Sequence, residues 1–161
     1  WQTAWQAAAL GNFVVLEQSI ERRPALVTTR GEFGFTLLHQ VAERCDRFSP
    51  EGFLRCVDLL VRRGADVNAA TDEGVRPLHL AREEVVRCLL SHGAELEARD
   101  VRGSTPLIVQ STERDGLGPM RALLENGADA NARDAAGKTA ADHAKQRNEM
   151  EKVELLARYS S

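Results

Sequence analysis

Two side chains that could bind a metal ion, Cys88 and His92, stand four residues apart in the sequence. On a helix this spacing places a thiol and an imidazole on one face, where they would supply half of a structural zinc site. Two ligands without a partner pair are weak evidence for a complete site. The sequence therefore favours half-buried helix residues at both positions, and we predict neither a metal ion nor a cofactor.

No arrangement of residues typical of catalysis is found elsewhere in the chain. The phosphate-binding pattern Gly-x-x-x-x-Gly-Lys-Ser/Thr, the nucleophile pattern Gly-x-Ser-x-Gly and the zinc-protease pattern His-Glu-x-x-His are absent. Glu95, Glu97 and Asp100 fall in predicted turns, where carboxylates are more often solvated than paired for acid–base catalysis. We therefore predict no catalytic residue and no enzymatic activity within this chain.

The three cysteines, Cys45, Cys56 and Cys88, are odd in number and show no Cys-x-x-Cys spacing. A disulfide framework is not expected, and a reducing compartment is favoured: the cytoplasm or, alternatively, the nucleus. The net charge of -3 argues against a nucleic-acid partner, which requires a basic face. No apolar run approaches the ~20 residues of a membrane-spanning helix. The start at Trp1, without Met, suggests a fragment of a longer protein.

The elements that must position these side chains follow one pattern that repeats along the chain. An apolar helical segment ends at a glycine, a polar turn follows, and a new helix begins. The three clearest copies span 59–81, 89–108 and 123–144. The closing glycines, Gly64, Gly93 and Gly127, suit the left-handed conformation that ends a helix. Recurrence at roughly 30 to 40 residues predicts a stacked array of short helix pairs.

Several motifs within these copies resemble those of ankyrin repeats. They include Gly-Ser-Thr-Pro-Leu-Ile at 103–108, Arg-Pro-Leu-His-Leu-Ala at 76–81 and Leu-Leu-Val-Arg-Arg-Gly-Ala-Asp-Val-Asn-Ala at 59–69. The resemblance covers nearly the whole chain. It implies an all-α fold, an α-solenoid of about five stacked helix-turn-helix repeats with connecting β-hairpin-like turns. We expect a single domain over 1–161, with repeats at about 1–30, 31–70, 71–99, 100–133 and 134–161.

The resemblance also gives structural roles to polar residues at the helix starts. His39 and His79 resemble buried histidines that bond to the backbone, whereas the fourth and fifth units carry Ile108 and Asp142 at that position. Arg76 takes the place of a capping Thr, which should cost its helix up to about 1 kcal/mol. The stretch after Arg76 is too short for a full first helix. We therefore expect this helix to be clipped by about one turn and the third unit to be the least stable joint.

In ankyrin repeats the residues that contact partners lie at the turn tips and at the end of each first helix. Carried onto this chain, the candidate partner-binding residues are Glu32, Phe33, Phe35, Glu43, Arg44, Asp72, Glu73, Val75, Val101, Arg102, Ser104, Thr112 and Glu113. The fifth unit adds Ala135, Ala136, Lys138, Gln146 and Arg147. Phe33 and Phe35 are the strongest candidates, because desolvated aromatics contribute much of the energy at interfaces. The alternative is that one of them folds back onto the neighbouring turn.

The sequence also makes predictions for four other aromatic residues. Trp1 and Trp5 are expected to cover the open N-terminal end of the array or to contact a partner. Phe53 is expected in the core and Phe48 at the surface of a long loop over 44–52. The sequence leaves open whether that loop has a function.

These observations favour a monomeric module that binds another protein or a peptide segment, without nucleic-acid or membrane partners. The binding surface would be the concave face formed by the turn tips and the first helices. One alternative is a substrate-recruiting or regulatory segment of a larger enzyme whose catalytic domain is absent from this chain. A second alternative is a structural spacer without a partner.

Overall fold

The computed structural model describes residues 2–45 and 50–160, and these residues form ten α-helices and no β-strand. The first helices of five successive pairs are α1 (Gln2–Ala9), α3 (Leu37–Arg44), α5 (Pro77–Leu80), α7 (Pro106–Thr112) and α9 (Ala140–Gln146). The second helices are α2 (Phe13–Arg22), α4 (Glu51–Arg62), α6 (Glu83–Ser91), α8 (Leu117–Glu125) and α10 (Met150–Ala157). The all-α prediction is confirmed. None of these helices is long and apolar enough to cross a membrane.

The helices pack in two layers. Each first helix packs against the first helix of the next pair, in the order α1, α3, α5, α7 and α9, and the second helices stack in the same way. Leu16, Leu60, Leu89 and Leu123, from four successive second helices, are fully buried in one continuous apolar core. Because each helix pair buries its apolar residues against its neighbours, the architecture is a solenoid.

Tight turns connect each helix pair to the next, and several share one construction. The N–H of Asp100 donates to the carbonyl of Ser104 (3.1 Å), which closes the turn between the third and fourth pairs in a β-hairpin-like form. Gly103 has φ of +73°, and a Cβ there would lie 2.9 Å from the backbone nitrogen of Ala135 in the next turn. This position therefore requires glycine both for its conformation and for the close approach of the neighbouring turn.

The first helix of the third pair is shortened, as predicted. Helix α5 contains four residues, whereas α3 and α7 contain eight and seven. Arg76 precedes α5, and its guanidinium carries no acceptor that could cap a backbone N–H. His79 Nδ1 instead accepts the N–H of Arg76 (3.1 Å), and the guanidinium pairs with Glu95. At the other end of α5, Gln110 Nε2 donates to the carbonyl of His79 (2.8 Å).

We expect amide hydrogen exchange to be faster over residues 76–92 than over the helix pairs on either side. A four-residue helix has few internal hydrogen bonds, and the missing side-chain cap weakens its start by about 1 kcal/mol. Native-state exchange followed by mass spectrometry would measure this, with α3–α4 and α7–α8 as internal references. Uniform protection across the three pairs would contradict the prediction.

Of the aromatic residues Trp1, Trp5, Phe48 and Phe53, two lie within the described residues. Phe53 on α4 is buried in the core, as predicted. Trp5 on α1 is half-buried and packs against the core at the N-terminal end of the stack. Trp1, Phe48 and residues 46–49 of the long loop lie outside the described residues.

Candidate functional site

Backbone hydrogen bonds join the tips of successive turns along the stack. The N–H of Asp72 donates to the carbonyl of Phe33 (3.0 Å) and that of Val101 to the carbonyl of Glu73 (2.9 Å). The N–H of Ala135 continues the series by donating to the carbonyl of residue 102 (2.9 Å). We call residues 33, 72–73, 101–102 and 135 the turn-tip row. Because these bonds involve only backbone atoms, the spacing of the row is fixed whatever side chains it carries.

A buried carboxylate shapes one of these turns from the inside. Asp100 Oδ1 accepts the N–H groups of Arg102 (2.9 Å) and Ser104 (2.8 Å), and Asp134 makes an equivalent pair of bonds in the following turn. Asp100 is 7% exposed. The prediction that it is a solvated turn carboxylate is therefore wrong, because its oxygen replaces water as the acceptor for the N–H groups inside the turn. Glu95 and Glu97 are exposed, as predicted.

A groove of about 350 Å³ opens beside the first tip of the row. Its lining residues are Trp5, Gly31, Glu32, Phe33, Phe35 and Gln40. Phe33 is 75% exposed. Phe35 is half-buried, and its ring centroid lies 5.2 Å from that of His39 in the same helix pair. Phe35 thus packs inward against its own histidine, and Phe33 is left as the exposed aromatic side chain of the groove.

The backbone of Phe33 adopts an uncommon conformation. Its φ of +55° lies in the left-handed region, which costs a bulky side chain about 1–2 kcal/mol relative to the right-handed one. Most of the ring also faces solvent, so burial contributes little to offset this cost. A costly backbone conformation and an exposed ring therefore coincide at one residue, at the mouth of the groove.

One acidic side chain lines the groove, and two more lie on the neighbouring turn tip. Glu32, Asp72 and Glu73 are exposed on the first two turn tips. The nearby Arg30 side chain donates a hydrogen bond to the carbonyl of Ala70. Three carboxylates against one guanidinium give this end of the row a negative potential.

The residues predicted to contact a partner differ in how much of their surface is available. Exposed positions are Glu32, Phe33, Arg44, Asp72, Glu73, Val101, Arg102 and Glu113, and half-buried positions are Phe35, Glu43, Val75 and Thr112. Ser104 is buried, because its backbone closes the turn and accepts a bond from His79, so it offers little surface to a partner. Gln40 lines the groove but was not among the predicted contact residues. The one sequence feature that points to it is its position on α3, one turn after the helix start.

The two histidines are buried and bond to the backbone, as predicted, and these bonds join neighbouring helix pairs. His39 Nε2 donates to the carbonyl of Val75 (3.0 Å), and His79 Nε2 donates to the carbonyl of Ser104 (3.2 Å). Burial lowers the pKa of His39 to about 4 and also lowers the pKa of His79, so both imidazoles are neutral at pH 7. Asp142, at the histidine position of the fifth pair, accepts the same helix-start N–H with a carboxylate oxygen (3.0 Å). These groups hold the helix starts, and the two histidines also hold the turns of the next pair.

Comparison with known proteins identifies related repeats. A family model described as ankyrin repeats, in three copies, matches residues 4–100 and 48–134, which together make up more than half of the chain. BCL-6 corepressor-like protein 1 of Homo sapiens is 30% identical over 112 residues, covering 67% of this chain and 6% of that protein. Protein phosphatase 1 regulatory subunit 27 of Homo sapiens is 30% identical over 100 residues, 60% of each chain.

A third relative is an enzyme by its name. The 2-5A-dependent ribonuclease of Mus musculus is 45% identical over 58 residues, covering 33% of this chain and 8% of that protein. The chain therefore spans less than a tenth of the length of two of these three relatives.

Proposed function

Because the chain belongs to the ankyrin-repeat family, we propose that it binds a partner protein through the turn-tip row and the groove beside Phe33. Ankyrin repeats are generally protein-interaction modules, and one relative is named as a regulatory subunit. The chain would act by binding alone and as a monomer. It would form one domain over 1–161, with repeat boundaries near residues 30, 70, 99 and 133. A standard-sized interface would bury about 800 Å² on each partner.

One observation carries this proposal: Phe33 is exposed while its backbone adopts a costly conformation. A glycine at this position would remove the backbone cost, and a polar residue would suit the solvent-exposed position better. A partner that covers the ring would recover the burial energy that the free protein lacks. The fixed turn-tip row would hold the ring in place for that contact.

The surroundings of the groove support a proposal for the chemistry of the partner. The rings of Trp5, Phe33 and Phe35 suit an apolar side chain, and the carboxylates around them suit basic neighbours. We therefore propose a partner segment that inserts an apolar residue into the groove and carries Lys or Arg beside it. Charged groups at the rim would mainly raise the association rate.

A second candidate function rests on the ribonuclease match. The chain would then be the recruiting or regulatory segment of a larger enzyme, and the surface described above would bind a substrate or another domain. The full-length reading frame would decide between an enzyme of this kind and a free-standing binding protein.

We expect Phe33→Ala to weaken partner binding by about tenfold or more, because it removes the exposed ring from the contact. Phe33→Gly should weaken binding equally while leaving the melting temperature unchanged or higher, since glycine relieves the left-handed conformation. Affinity capture from lysate, followed by titration of the captured protein, would measure the effect.

Val14→Ala is the matched control, because Val14 is also an exposed apolar residue (56%) but lies on a second helix, α2. It should retain every captured protein. If the Phe33 variants also retain every captured protein, the proposed contact surface is wrong.

A further inference from the structure

Three potential metal ligands lie close together where two neighbouring second helices, α4 and α6, pack against each other. Asp58 lies on α4, while Cys88 and His92 lie on α6 and at its C-terminal cap. One ligand atom of each residue lies within 4.8 Å of the other two. His92 Nε2 and Asp58 Oδ1 are 2.7 Å apart. The packing of α4 against α6 therefore supplies a third ligand to the Cys88–His92 pair.

We propose that Asp58, Cys88 and His92 form a binding site for a divalent transition-metal ion of the zinc class. Thiolate, imidazole and carboxylate are the three ligand types that zinc takes in proteins. Three protein ligands leave a fourth tetrahedral position for water or for a ligand from another molecule. The side chains of Asp58 and His92 are 46% and 23% exposed, so an ion can reach the site from solvent.

Only small side-chain movements are needed to form this site. Ligand atoms around a tetrahedral zinc ion stand roughly 3 to 4 Å apart, given metal–ligand distances of about 2.0–2.3 Å. The imidazole and the carboxylate already approach closely, and the ion would replace the proton between them. The helices themselves are fixed by buried neighbours of the ligands, Val57 on α4 and Leu89 on α6.

The Cys88 thiol carries a proton in the free protein, which a metal ion must displace. Burial, assisted by the charge of Asp58, raises the pKa of Cys88 to about 11, so the thiol is protonated and weakly reactive at neutral pH. A bound ion would displace that proton and compensate the thiolate charge. Metal binding is therefore expected to release a proton and to strengthen as the pH rises.

A bound ion would link the second and third helix pairs. It would connect α4 to α6, the second helix of the pair whose first helix, α5, is shortest. Binding to the folded state alone stabilises that state. Occupancy is therefore expected to raise the melting temperature and to slow hydrogen exchange over residues 76–92.

The chain contains a matched control for this site. His143 Nε2 and Asp134 Oδ2 form the same kind of pair at the same distance of 2.7 Å, but the described residues place no third metal ligand beside them. His143→Gln should therefore leave metal binding unchanged, whereas His92→Gln should weaken it by at least tenfold.

The test is titration of the reduced 161-residue chain with Co²⁺, followed by displacement with Zn²⁺. We expect one Co²⁺ per chain with a thiolate-to-metal charge-transfer band, a band that Cys88→Ser abolishes and Asp58→Asn weakens. Circular dichroism and the melting temperature without metal would verify that each variant is folded. If wild type gives no thiolate band, or if the band survives in Cys88→Ser, the site is not the one proposed. An unchanged rate of exchange over 76–92 at saturating Zn²⁺ would overturn the linking role.

Discussion

Acidification from pH 6.5 to pH 4 is expected to lower the free energy of unfolding by about 3 kcal/mol through His39 alone. The pKa of this imidazole is about 4 in the folded protein, against 6.5 for an unperturbed histidine. Between these two values the unfolded chain binds a proton that the folded protein does not. The contribution of neutral His39 to the free energy of unfolding is therefore fully present above pH 6.5. It falls as the pH drops towards 4 and is then lost.

The cause of this sensitivity is burial, which disfavours the charged imidazole. Protonation would also take the acceptor lone pair of Nδ1, which receives the N–H of Thr36 (3.2 Å). His79 is also buried, and burial lowers its pKa, so it adds to the loss in the same direction. The lowered pKa values of Asp134 and Asp142 act in a separate window, below about pH 3.8.

The measurement is urea unfolding at a series of pH values for the wild type and for His39→Gln. The variant should be less stable at pH 7, because it loses the bond to Val75, but its stability should fall less steeply between pH 6.5 and 4. A titration of the imidazole by NMR would give the folded pKa directly. An identical pH slope in wild type and variant would refute the assignment to His39.

Replacement of Lys152 by Met is expected to destabilise the protein by about 3 kcal/mol. Lys152 on α10 is 3% exposed, and its ammonium group donates to the carbonyls of Ser111 (3.4 Å) and Glu113 at the end of α7. It also pairs with Glu149. Methionine preserves most of the volume but leaves two carbonyls and one partly buried carboxylate without this cation. The cation also lies at the negative end of the α7 dipole.

Lys145→Met on α9 is the matched control, because Lys145 is exposed. It should change the free energy of unfolding by less than about 0.5 kcal/mol. Urea unfolding would give both values, and hydrogen exchange would show whether α10 separates from α7 and α8 first. A similar, small effect for both variants would mean that the buried ammonium group contributes little to the C-terminal end of the stack.

Much of the fold follows from residue types whose physical demands are local. Gly64, Gly93 and Gly127 have φ of +94°, +87° and +91° after their helices, as their positions predict. Thr105 caps α7 through the N–H of Ile108 (3.3 Å). Such signals act over a few residues, so they can be read directly from the chain, and their recurrence predicts the stack. The shortness of α5 follows in the same way from the length of its segment.

Contacts between repeats could not be predicted, because they depend on how neighbouring helices are rotated and spaced. Asp58 stands far in sequence from Cys88 and His92, and only the packing of α4 on α6 brings the three together. Burial of Asp100 and of Lys152 likewise depends on the turn or helix that covers each charge.

The sequence by itself determined the repeating helix pairs, the left-handed glycines and the buried histidines, because backbone conformation and periodicity are local properties. Tertiary structure alone decided that Phe35 packs inward while Phe33 faces solvent, although the two residues have the same type and nearly the same position. The physical reason is the left-handed backbone of Phe33 at a turn tip that is bonded to the next repeat. That conformation directs the Phe33 ring towards solvent, while the Phe35 ring packs against His39.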